Sequence, residues 1–304
     1  MAKLTVSIRK AAVAALTVVG LSLGAGVAAA QPALPQFPAM PETPNIPGIP
    51  NFNVAPAGVK DMVVFGDSFS ANAGKNGPRG LEPGQNPLVA NCATDMENWP
   101  KAAARNLGMS IGDWSCNGTG GMPVVQLAAY LELAIQHGDL GRGTKEVVLM
   151  YGGMDALQWV DVAGQLVGQN NLDPTVYRDT MRHVKNRVNE VAPGARVTLL
   201  SYPEFATNDQ LCLVNTPGRV HPIPAPGGNQ IQGALRDSIR SAAAYAGVNF
   251  IDVYQASLGH GTCAPRDEDR WVAGFVDPVM GPMTNHPTVH GSIAMGNLVA
   301  DQLR

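Results

Sequence analysis

Apolar and polar positions along residues 59–304 follow two patterns that alternate. Short apolar runs rich in β-branched residues predict buried strands; they lie at residues 62–65, 109–114, 145–151, 196–202 and 248–253. Longer stretches have helical periodicity; they lie at residues 98–107, 124–136, 173–191, 229–246 and 289–303. Strands that alternate with helices of this length form parallel sheets covered on both faces. The sequence therefore predicts a three-layer α/β/α sandwich with a mainly parallel sheet.

The first predicted strand stops at Gly66-Asp67-Ser68, which leaves Ser68 at its C-terminal end. In an open α/β sheet, ligands bind in the crevice beyond these strand ends. Ser68 is therefore a candidate nucleophile, although the tripeptide alone favours a helix cap, because Ser and Asp are preferred N-cap residues. Two irregular stretches, residues 204–228 and 255–287, are longer than ordinary connections. Such long loops at strand ends are often functional.

Residues 1–30 have the three parts of a secretory signal. Lys3, Arg9 and Lys10 precede an uncharged apolar stretch, and small alanines follow it up to Ala30. We expect export with cleavage after about Ala30, and a secreted or cell-envelope location. The next segment, residues 31–58, contains eight prolines. This composition predicts an extended spacer, either a simple tether or an arm that keeps the folded domain, residues 59–304, close to a cell wall.

Composition and charge narrow the class of protein. With 45% hydrophobic and 15% charged residues, the chain suits one sizeable globular domain with extra segments. Removal of residues 1–30 takes away three positive charges and no acidic ones, so the formal charge goes from −3 to −6. Because the mature chain would be this acidic, its charge gives no reason to expect binding to nucleic acid or to an anionic membrane.

The chain has four cysteines, and oxidation to disulfides is the default in an exported protein. Three pairings are possible. We favour Cys92 with Cys116 and Cys212 with Cys263, because each pair then lies within or between loops at one end of the sheet. A metal site is the competing interpretation, and no C-x-x-C or paired-histidine spacing supports it.

Four sequence blocks, in order, resemble those of the GDSL, or SGNH, family of serine hydrolases: Gly66-Asp67-Ser68-Phe69, Ser115-Cys116-Asn117-Gly118, Gly152-Gly153-Met154-Asp155, and His286-Pro287 with Gly291. One block alone is weak, but four in order are specific. The resemblance covers residues 62–304. It is similar in particular to the secreted, disulfide-bonded branch of actinobacterial esterases and lipases, which has counterparts of Cys92, residues 99–100, residues 259–263 and residues 271–272.

The resemblance implies a serine hydrolase mechanism without a metal or an organic cofactor. Ser68 would be the nucleophile, and it needs a base within hydrogen-bond reach. Among six histidines we prefer His286, which matches the family block, over His290, which lies one helical turn further on. The resemblance also implies an oxyanion hole formed by the backbone N–H groups of Ser68 and Gly118; on spacing alone, Gly118 is a plain turn glycine.

Two residues depart from the family pattern. Met154 stands where the family has an asparagine that donates to the oxyanion, and a thioether donates nothing. Asn117 or Asn91 is a possible replacement donor. Met283 stands three residues before His286, where most of the family has an aspartate that orients the histidine. We expect the backbone carbonyl of Met283 to orient it instead, with Asp277 as the second candidate.

The resulting expectation is a secreted, monomeric esterase or lipase that hydrolyses carboxylic esters through an acyl-enzyme on Ser68. Lipids, short-chain acyl esters and acylated saccharides all fit as substrates. Two alternatives stay open: an SGNH-fold cell-envelope binding protein with weakened catalysis, favoured by Met154 and Met283, and an acyltransferase in which an alcohol replaces water.

Overall fold

A five-stranded parallel sheet forms the centre of the protein, in the order β11-β8-β5-β1-β4. The computed structural model describes residues 58–73, 76–78, 93–117, 123–152, 158–162, 165–169 and 174–304. The strands are β1 Met62–Gly66, β2 Asn76–Pro78, β3 Ala93–Asp95, β4 Ile111–Asp113, β5 Glu146–Met150, β6 Gln158–Val162, β7 Gln165–Gln169, β8 Arg196–Leu200, β9 Gln210–Leu211, β10 Ile223–Pro224 and β11 Asn249–Ile251. The helices are α1 Ser68–Ala71, α2 Trp99–Leu107, α3 Pro123–His137, α4 Pro174–Val191, α5 Gly228–Ala246, α6 Val253–Ala256 and α7 Val289–Leu303, with one 3₁₀ turn at Asp267–Asp269.

Each predicted strand of the sheet and each predicted long helix is confirmed, with ends that differ by at most two residues. Sequence patterns did not predict the three small antiparallel pairs, β2 with β3, β6 with β7, and β9 with β10. These strands are two to five residues long. They lie outside the central sheet, where no continuous apolar run marks them.

The connections place helices on both faces of the sheet. The chain steps from β1 to β4 in one direction, then passes back over β1 to β5, β8 and β11 in the other direction. Because crossovers between parallel strands are right-handed, α2 lies on one face and α3, α4 and α5 lie on the other. The last helix, α7, packs against α2, and α4 packs against α3 and α5. The predicted three-layer α/β/α sandwich is thereby confirmed.

Strand β1 is the central element of the core. It pairs with β4 on one side and β5 on the other, and all five of its residues are buried. Burial on both faces explains its unbroken apolar run, since central parallel strands have no solvent side. The chain leaves β1 toward β4 and leaves β5 toward β8, so a crevice opens beyond the ends of β1 and β5. Ser68 follows β1 at this point.

A disulfide joins the two long loops that follow β8 and β11. Cys212 and Cys263 are bonded, with their Cα atoms 5.0 Å apart, so the predicted pairing is confirmed for this pair. Cys116 is also in a disulfide, while its predicted partner Cys92 lies outside the described residues. The Cys212 bond ties loop 201–222 to the loop that leads toward His286.

Several sequence predictions fall on residues outside the described part of the chain. They include the signal segment, residues 1–30, and nearly all of the proline-rich segment, residues 31–58. Within the part that is described, no helix has the length and apolar character needed to cross a membrane.

Candidate active site

Ser68 begins helix α1 directly after strand β1 and the turn at Asp67. The Asp67 carboxylate caps the helix by accepting a hydrogen bond from the Phe69 N–H at 2.9 Å. Asp67 therefore fills the capping role that the tripeptide allowed for Ser68. The Ser68 side chain is left free to point into the crevice beyond β1.

The turn before Ser68 is tightly packed and requires glycine at position 66. A Cβ atom at Gly66 would lie 2.2 Å from Ser70 Oγ and 2.3 Å from Ser70 Cβ. Ser70 is itself held, because Trp99 Nε1 donates to its hydroxyl at 3.2 Å and Asn98 Nδ2 donates to its carbonyl at 2.9 Å. The position of α1, and with it that of Ser68, is fixed by this packing.

His286 lies against Ser68 although the two residues are 218 positions apart in the sequence. Its Nε2 atom is 2.7 Å from Ser68 Oγ, a hydrogen-bond distance. The Phe69 ring contacts the imidazole, with ring centroids 4.9 Å apart, and Tyr202 packs edge-on against Phe69, with ring centroids 5.5 Å apart. The structure thus brings His286 to Ser68, whereas the rival His290 is exposed on helix α7.

The second ring nitrogen of His286 faces a backbone carbonyl. Nδ1 lies 2.8 Å from the Thr284 oxygen, so Nδ1 carries the proton and Nε2 is left as the acceptor for the Ser68 hydroxyl. The prediction that the Met283 carbonyl has this position was wrong by one residue. Asn285, with φ of 61°, turns the backbone between Thr284 and His286, and this turn brings the Thr284 oxygen to the ring.

Asp277, the second predicted partner of Nδ1, is also wrong. Its side chain is fully buried and makes its hydrogen bonds elsewhere, to Arg270, Asn215 and backbone N–H groups. The loop does not fold back on His286 in the way that this prediction required.

Met283 and Asn117 face each other beside the site. The Asn117 amide nitrogen is 3.1 Å from the Met283 sulfur, and its oxygen accepts a hydrogen bond from the Ala73 N–H at 3.4 Å. A thioether is a weak acceptor, so this amide N–H is only lightly engaged. Three other residues of the predicted oxyanion region, Gly118, Met154 and Asn91, lie outside the described residues.

Hydrogen bonds join β1 and α1 to two other segments, the one after β4 that contains Asn117 and the one that contains His286. The Cys116 N–H donates to the Gly66 carbonyl at 3.0 Å, next to Ser68. Asn72, which ends α1 in the left-handed region with φ of 48°, donates its side-chain N–H to the Pro287 carbonyl at 2.9 Å. These bonds hold the residue after His286 to the helix that begins with Ser68.

Burial changes the ionisation of two groups at the site. It lowers the pKa of His286 below its ordinary value of 6.5, and the hydrogen bond to Thr284 offsets part of this effect. It raises the pKa of Asp67 to about 6, against the opposing effect of hydrogen bonds from Tyr202 and the Phe69 N–H. A histidine that stays neutral to lower pH is suited to accept a proton. Among the described residues, no group of three or more His, Cys, Asp or Glu side chains could hold a metal ion.

Sequence reasoning assigned no role to four residues that shape the site: Thr284, Phe69, Tyr202 and Asn72. Thr284 acts through a backbone atom, so its residue type carries no signal. Phe69 follows Ser68 directly, so its place in the sequence indicates that it lies near the site. Tyr202 and Asn72 are brought to the site only by the fold, and nothing in the sequence next to them indicates this.

The fold and this geometry define a class of enzyme: an α/β hydrolase with a serine and a histidine in hydrogen-bond contact at the end of a central parallel strand. A model of the GDSL-like lipase/acylhydrolase family matches residues 64–292, and the chain belongs to this family. It is a carboxylic ester hydrolase of the SGNH type.

Two proteins of similar sequence come from Streptomyces species. Lipase 2 of Streptomyces coelicolor is 30% identical over 234 residues, which cover 70% of this chain and 75% of that protein. An esterase of Streptomyces scabiei is 25% identical, with 95% of this chain and 94% of that protein covered.

Solved structures share the fold. Phospholipase A1 from Streptomyces albidoflavus matches with a TM-score of 0.54 and 24% identity over 81% of this chain and 100% of that one. An extracellular lipase from Streptomyces rimosus matches with a TM-score of 0.53 and 21% identity over 81% of this chain and 100% of that one. At these identities the two structures show the fold alone.

Proposed function

We propose that this protein hydrolyses carboxylic esters through an acyl-enzyme on Ser68, with His286 as the general base. The observation that carries the proposal is the 2.7 Å distance from His286 Nε2 to Ser68 Oγ. It is joined by the 2.8 Å distance from Nδ1 to the Thr284 carbonyl, which fixes the tautomer. A serine hydroxyl becomes a nucleophile when a base at this distance takes its proton.

The reaction proceeds in two steps, acylation of Ser68 and hydrolysis of the acyl-enzyme. Ser68 Oγ attacks the ester carbonyl while its proton passes to His286 Nε2, and the tetrahedral intermediate collapses when that proton goes to the leaving alkoxide. Water then replaces the alcohol, gives its proton to Nε2 and attacks the acyl-enzyme. Collapse of the second intermediate returns the proton to Ser68 Oγ and releases the carboxylic acid. During each attack the imidazolium is stabilised by the Thr284 carbonyl, which accepts from Nδ1–H.

A carbonyl in place of a carboxylate has a consequence for the base. A carboxylate at Nδ1 would favour the charged imidazolium and raise the pKa of His286. The neutral Thr284 carbonyl stabilises the imidazolium less than a carboxylate would, so the pKa of His286 stays below its ordinary value. His286 is then a weaker base that is available over a wider pH range.

The developing oxyanion needs hydrogen-bond donors. We assign this role to the backbone N–H of Ser68, which belongs to the first turn of α1, where N–H groups have no partner within the helix. The N–H of Gly118 is the second donor, and the Asn117 side chain is the third, in place of the asparagine that Met154 replaces. The light contact of Asn117 Nδ2 with the Met283 sulfur, at 3.1 Å, supports this choice.

We also propose that the protein is exported as a monomer. The secretory pattern of residues 1–30, with cleavage after about Ala30, and the disulfide of Cys212 and Cys263 support export. The proline-rich segment, residues 31–58, would hold the domain near the cell envelope. The names of its relatives favour a lipid ester as the substrate. Short-chain acyl esters and acylated saccharides are the alternative substrates to compare with it.

Two variants and one matched control test the proposed mechanism on an aryl ester. Ser68→Ala should remove turnover, since no acyl-enzyme forms, and His286→Ala should lower kcat about 10²–10⁴-fold, the usual contribution of a general base. The matched control is His290→Ala, which removes an exposed imidazole one helical turn away and should leave kcat unchanged. Thermal unfolding of each variant checks that folding is retained. Parent-level turnover by Ser68→Ala would contradict the mechanism.

A further inference from the structure

We infer that the buried ion pair of Arg270 and Asp277 positions His286, through a short strand pairing that links the two. Its expected effect on catalysis rests on the proposed function. The ion pair lies in the long loop before helix α7, with Asp277 nine and Arg270 sixteen residues before His286, and neither side chain contacts the imidazole.

The pair is fully enclosed. The side chains of Arg270 and Asp277 have no exposed surface, and Arg270 Nε lies 3.1 Å from the nearer Asp277 oxygen. Arg270 also donates to the Ala264 carbonyl at 2.7 Å and to the Asp267 carboxylate at 2.5 Å. A buried ion pair gives little net stability, because the cost of removing both charges from water offsets their attraction. Its clearer effect is to fix the geometry of the groups that satisfy it.

Asp277 transmits this geometry to the backbone. One oxygen accepts from Asn215 Nδ2 at 2.7 Å and from the Gly274 N–H at 3.2 Å, and the other accepts from the Val279 N–H at 3.1 Å. Gly274 packs closely against the disulfide-bonded loop, because a Cβ atom there would lie 2.6 Å from the Cys212 carbonyl oxygen. The carboxylate therefore anchors residues 271–274 to the disulfide-bonded loop.

Residues 271–274 in turn hold the histidine. The Ala273 N–H donates to the His286 carbonyl at 3.1 Å, and the Gly274 carbonyl accepts from the Asn285 N–H at 3.0 Å. On the far side of this pairing, the Thr288 hydroxyl donates to the Arg270 carbonyl at 2.7 Å. Hydrogen bonds thus connect both members of the ion pair to His286 and to the residues on each side of it.

Residues 275–280, which carry Asp277, are not held in place by apolar burial. Phe275, Val276 and Met280, which surround Asp277 in the sequence, are 52%, 58% and 46% exposed. A loop that leaves its large apolar side chains in solvent depends on polar anchors for its position. The ion pair supplies such an anchor for the segment that pairs with the backbone of His286.

The test compares Asp277→Asn with Glu146→Gln. The control removes the carboxylate of another Arg ion pair, in which Arg196 Nε lies 3.0 Å from both Glu146 oxygens. That pair lies at the opposite end of β5 from the site, so it should affect stability only. Two quantities are measured at a temperature where every variant is folded: the pKa of the His286 imidazole by NMR titration, and kcat and KM on an aryl ester.

We expect Asp277→Asn to lower kcat about 10–100-fold with KM within about twofold, since a displacement near 1 Å costs about 10²-fold. The pKa of His286 should rise toward its ordinary value as the ring becomes exposed to water. Loss of the Asp277 charge by itself would shift this pKa downward, so a rise separates repositioning from electrostatics. Glu146→Gln should change neither quantity.

An unchanged pKa and unchanged kcat in Asp277→Asn would overturn the inference. A raised pKa with unchanged kcat would support the positioning of His286 and instead contradict its proposed catalytic role. If Asp277→Asn does not fold, Asn215→Ala removes one hydrogen bond to Asp277 and keeps the ion pair. It should shift both quantities in the same directions by a smaller factor, and parent values would overturn the inference.

Discussion

The turn that presents Ser68 has no space for a side chain at position 66, and Gly66→Ala tests the consequence. The added Cβ atom would lie 2.3 Å from Ser70 Cβ, whereas carbon atoms in contact are about 3.5–4.0 Å apart. The Ser70 hydroxyl can rotate away, but its Cβ is part of helix α1. Relief of the clash therefore requires a displacement of more than about 1 Å between β1 and α1.

Ser70 cannot take up this displacement alone, because Trp99 and Asn98 hold its hydroxyl and its carbonyl. The start of α1 should move instead and carry Ser68 away from His286. A displacement of about 1 Å at reacting groups costs about 10²-fold in rate. Insertion of a methyl group into a packed site costs about 1–3 kcal/mol of stability.

Steady-state kinetics on an aryl ester and thermal unfolding measure the two effects. We predict that Gly66→Ala lowers kcat about 100-fold and lowers the free energy of unfolding by about 1–3 kcal/mol. The matched control is Gly233→Ala in helix α5, where a Cβ atom would meet nothing within 4 Å. Alanine there should stabilise the protein by about 0.5–1 kcal/mol and leave kcat unchanged. Parent-level kcat in Gly66→Ala would refute the reasoning.

Three further predictions follow from the site and the loops around it. The pH profile of kcat/KM should lose activity on the acid side with a midpoint below 6.5, because burial lowers the pKa of His286 and only the neutral ring accepts a proton; a midpoint above 6.5 would contradict this. Thr284→Ala should keep kcat within about threefold of the parent, since the backbone carbonyl does the orienting; a loss of 10²-fold or more, of the size seen when a base is lost, would implicate the side chain. Replacement of Cys212 and Cys263 by alanine should cost about 4 kcal/mol of unfolding free energy for a loop of 51 residues, as measured by denaturant titration; unchanged stability would contradict the loop-entropy estimate.

The sequence was sufficient for the fold and for the two main residues of the site. The apolar run of β1 predicts a strand buried on both faces, and the structure has it at the centre of the sheet. The block around His286 identified the histidine that contacts Ser68. Both features depend on local patterns that can be seen in the sequence itself.

The orientation of His286 could not be predicted in the same way. A backbone carbonyl performs it, so neither Met283 nor Thr284 signals the role by its side chain. The choice between them depends on the left-handed turn at Asn285, φ 61°. Asp277 was a reasonable candidate by type and position, but the buried Arg270 was not recognised as its partner, and an arginine takes a nearby carboxylate when both are removed from water.

The oxyanion donors stay predictions, because Gly118 and Met154 lie outside the described residues. Met154→Asn should raise kcat with little change in KM if the site follows its relatives, since the new bond strengthens as charge develops on the oxygen. If Asn117 already supplies the third donor, Asn117→Ala should lower kcat about 10²–10³-fold instead.

The most direct test of the central claim is the covalent labelling of the protein by an aryl organophosphonate ester, followed by peptide mass mapping. Ser68 and His286 in hydrogen-bond contact should give one phosphonyl group per chain, located on Ser68, with loss of esterase activity in proportion to labelling. Labelling should be absent in Ser68→Ala, greatly slowed in His286→Ala and unchanged in His290→Ala. An adduct on another residue, or active protein that takes up no phosphonate, would contradict the claim that Ser68 is the nucleophile.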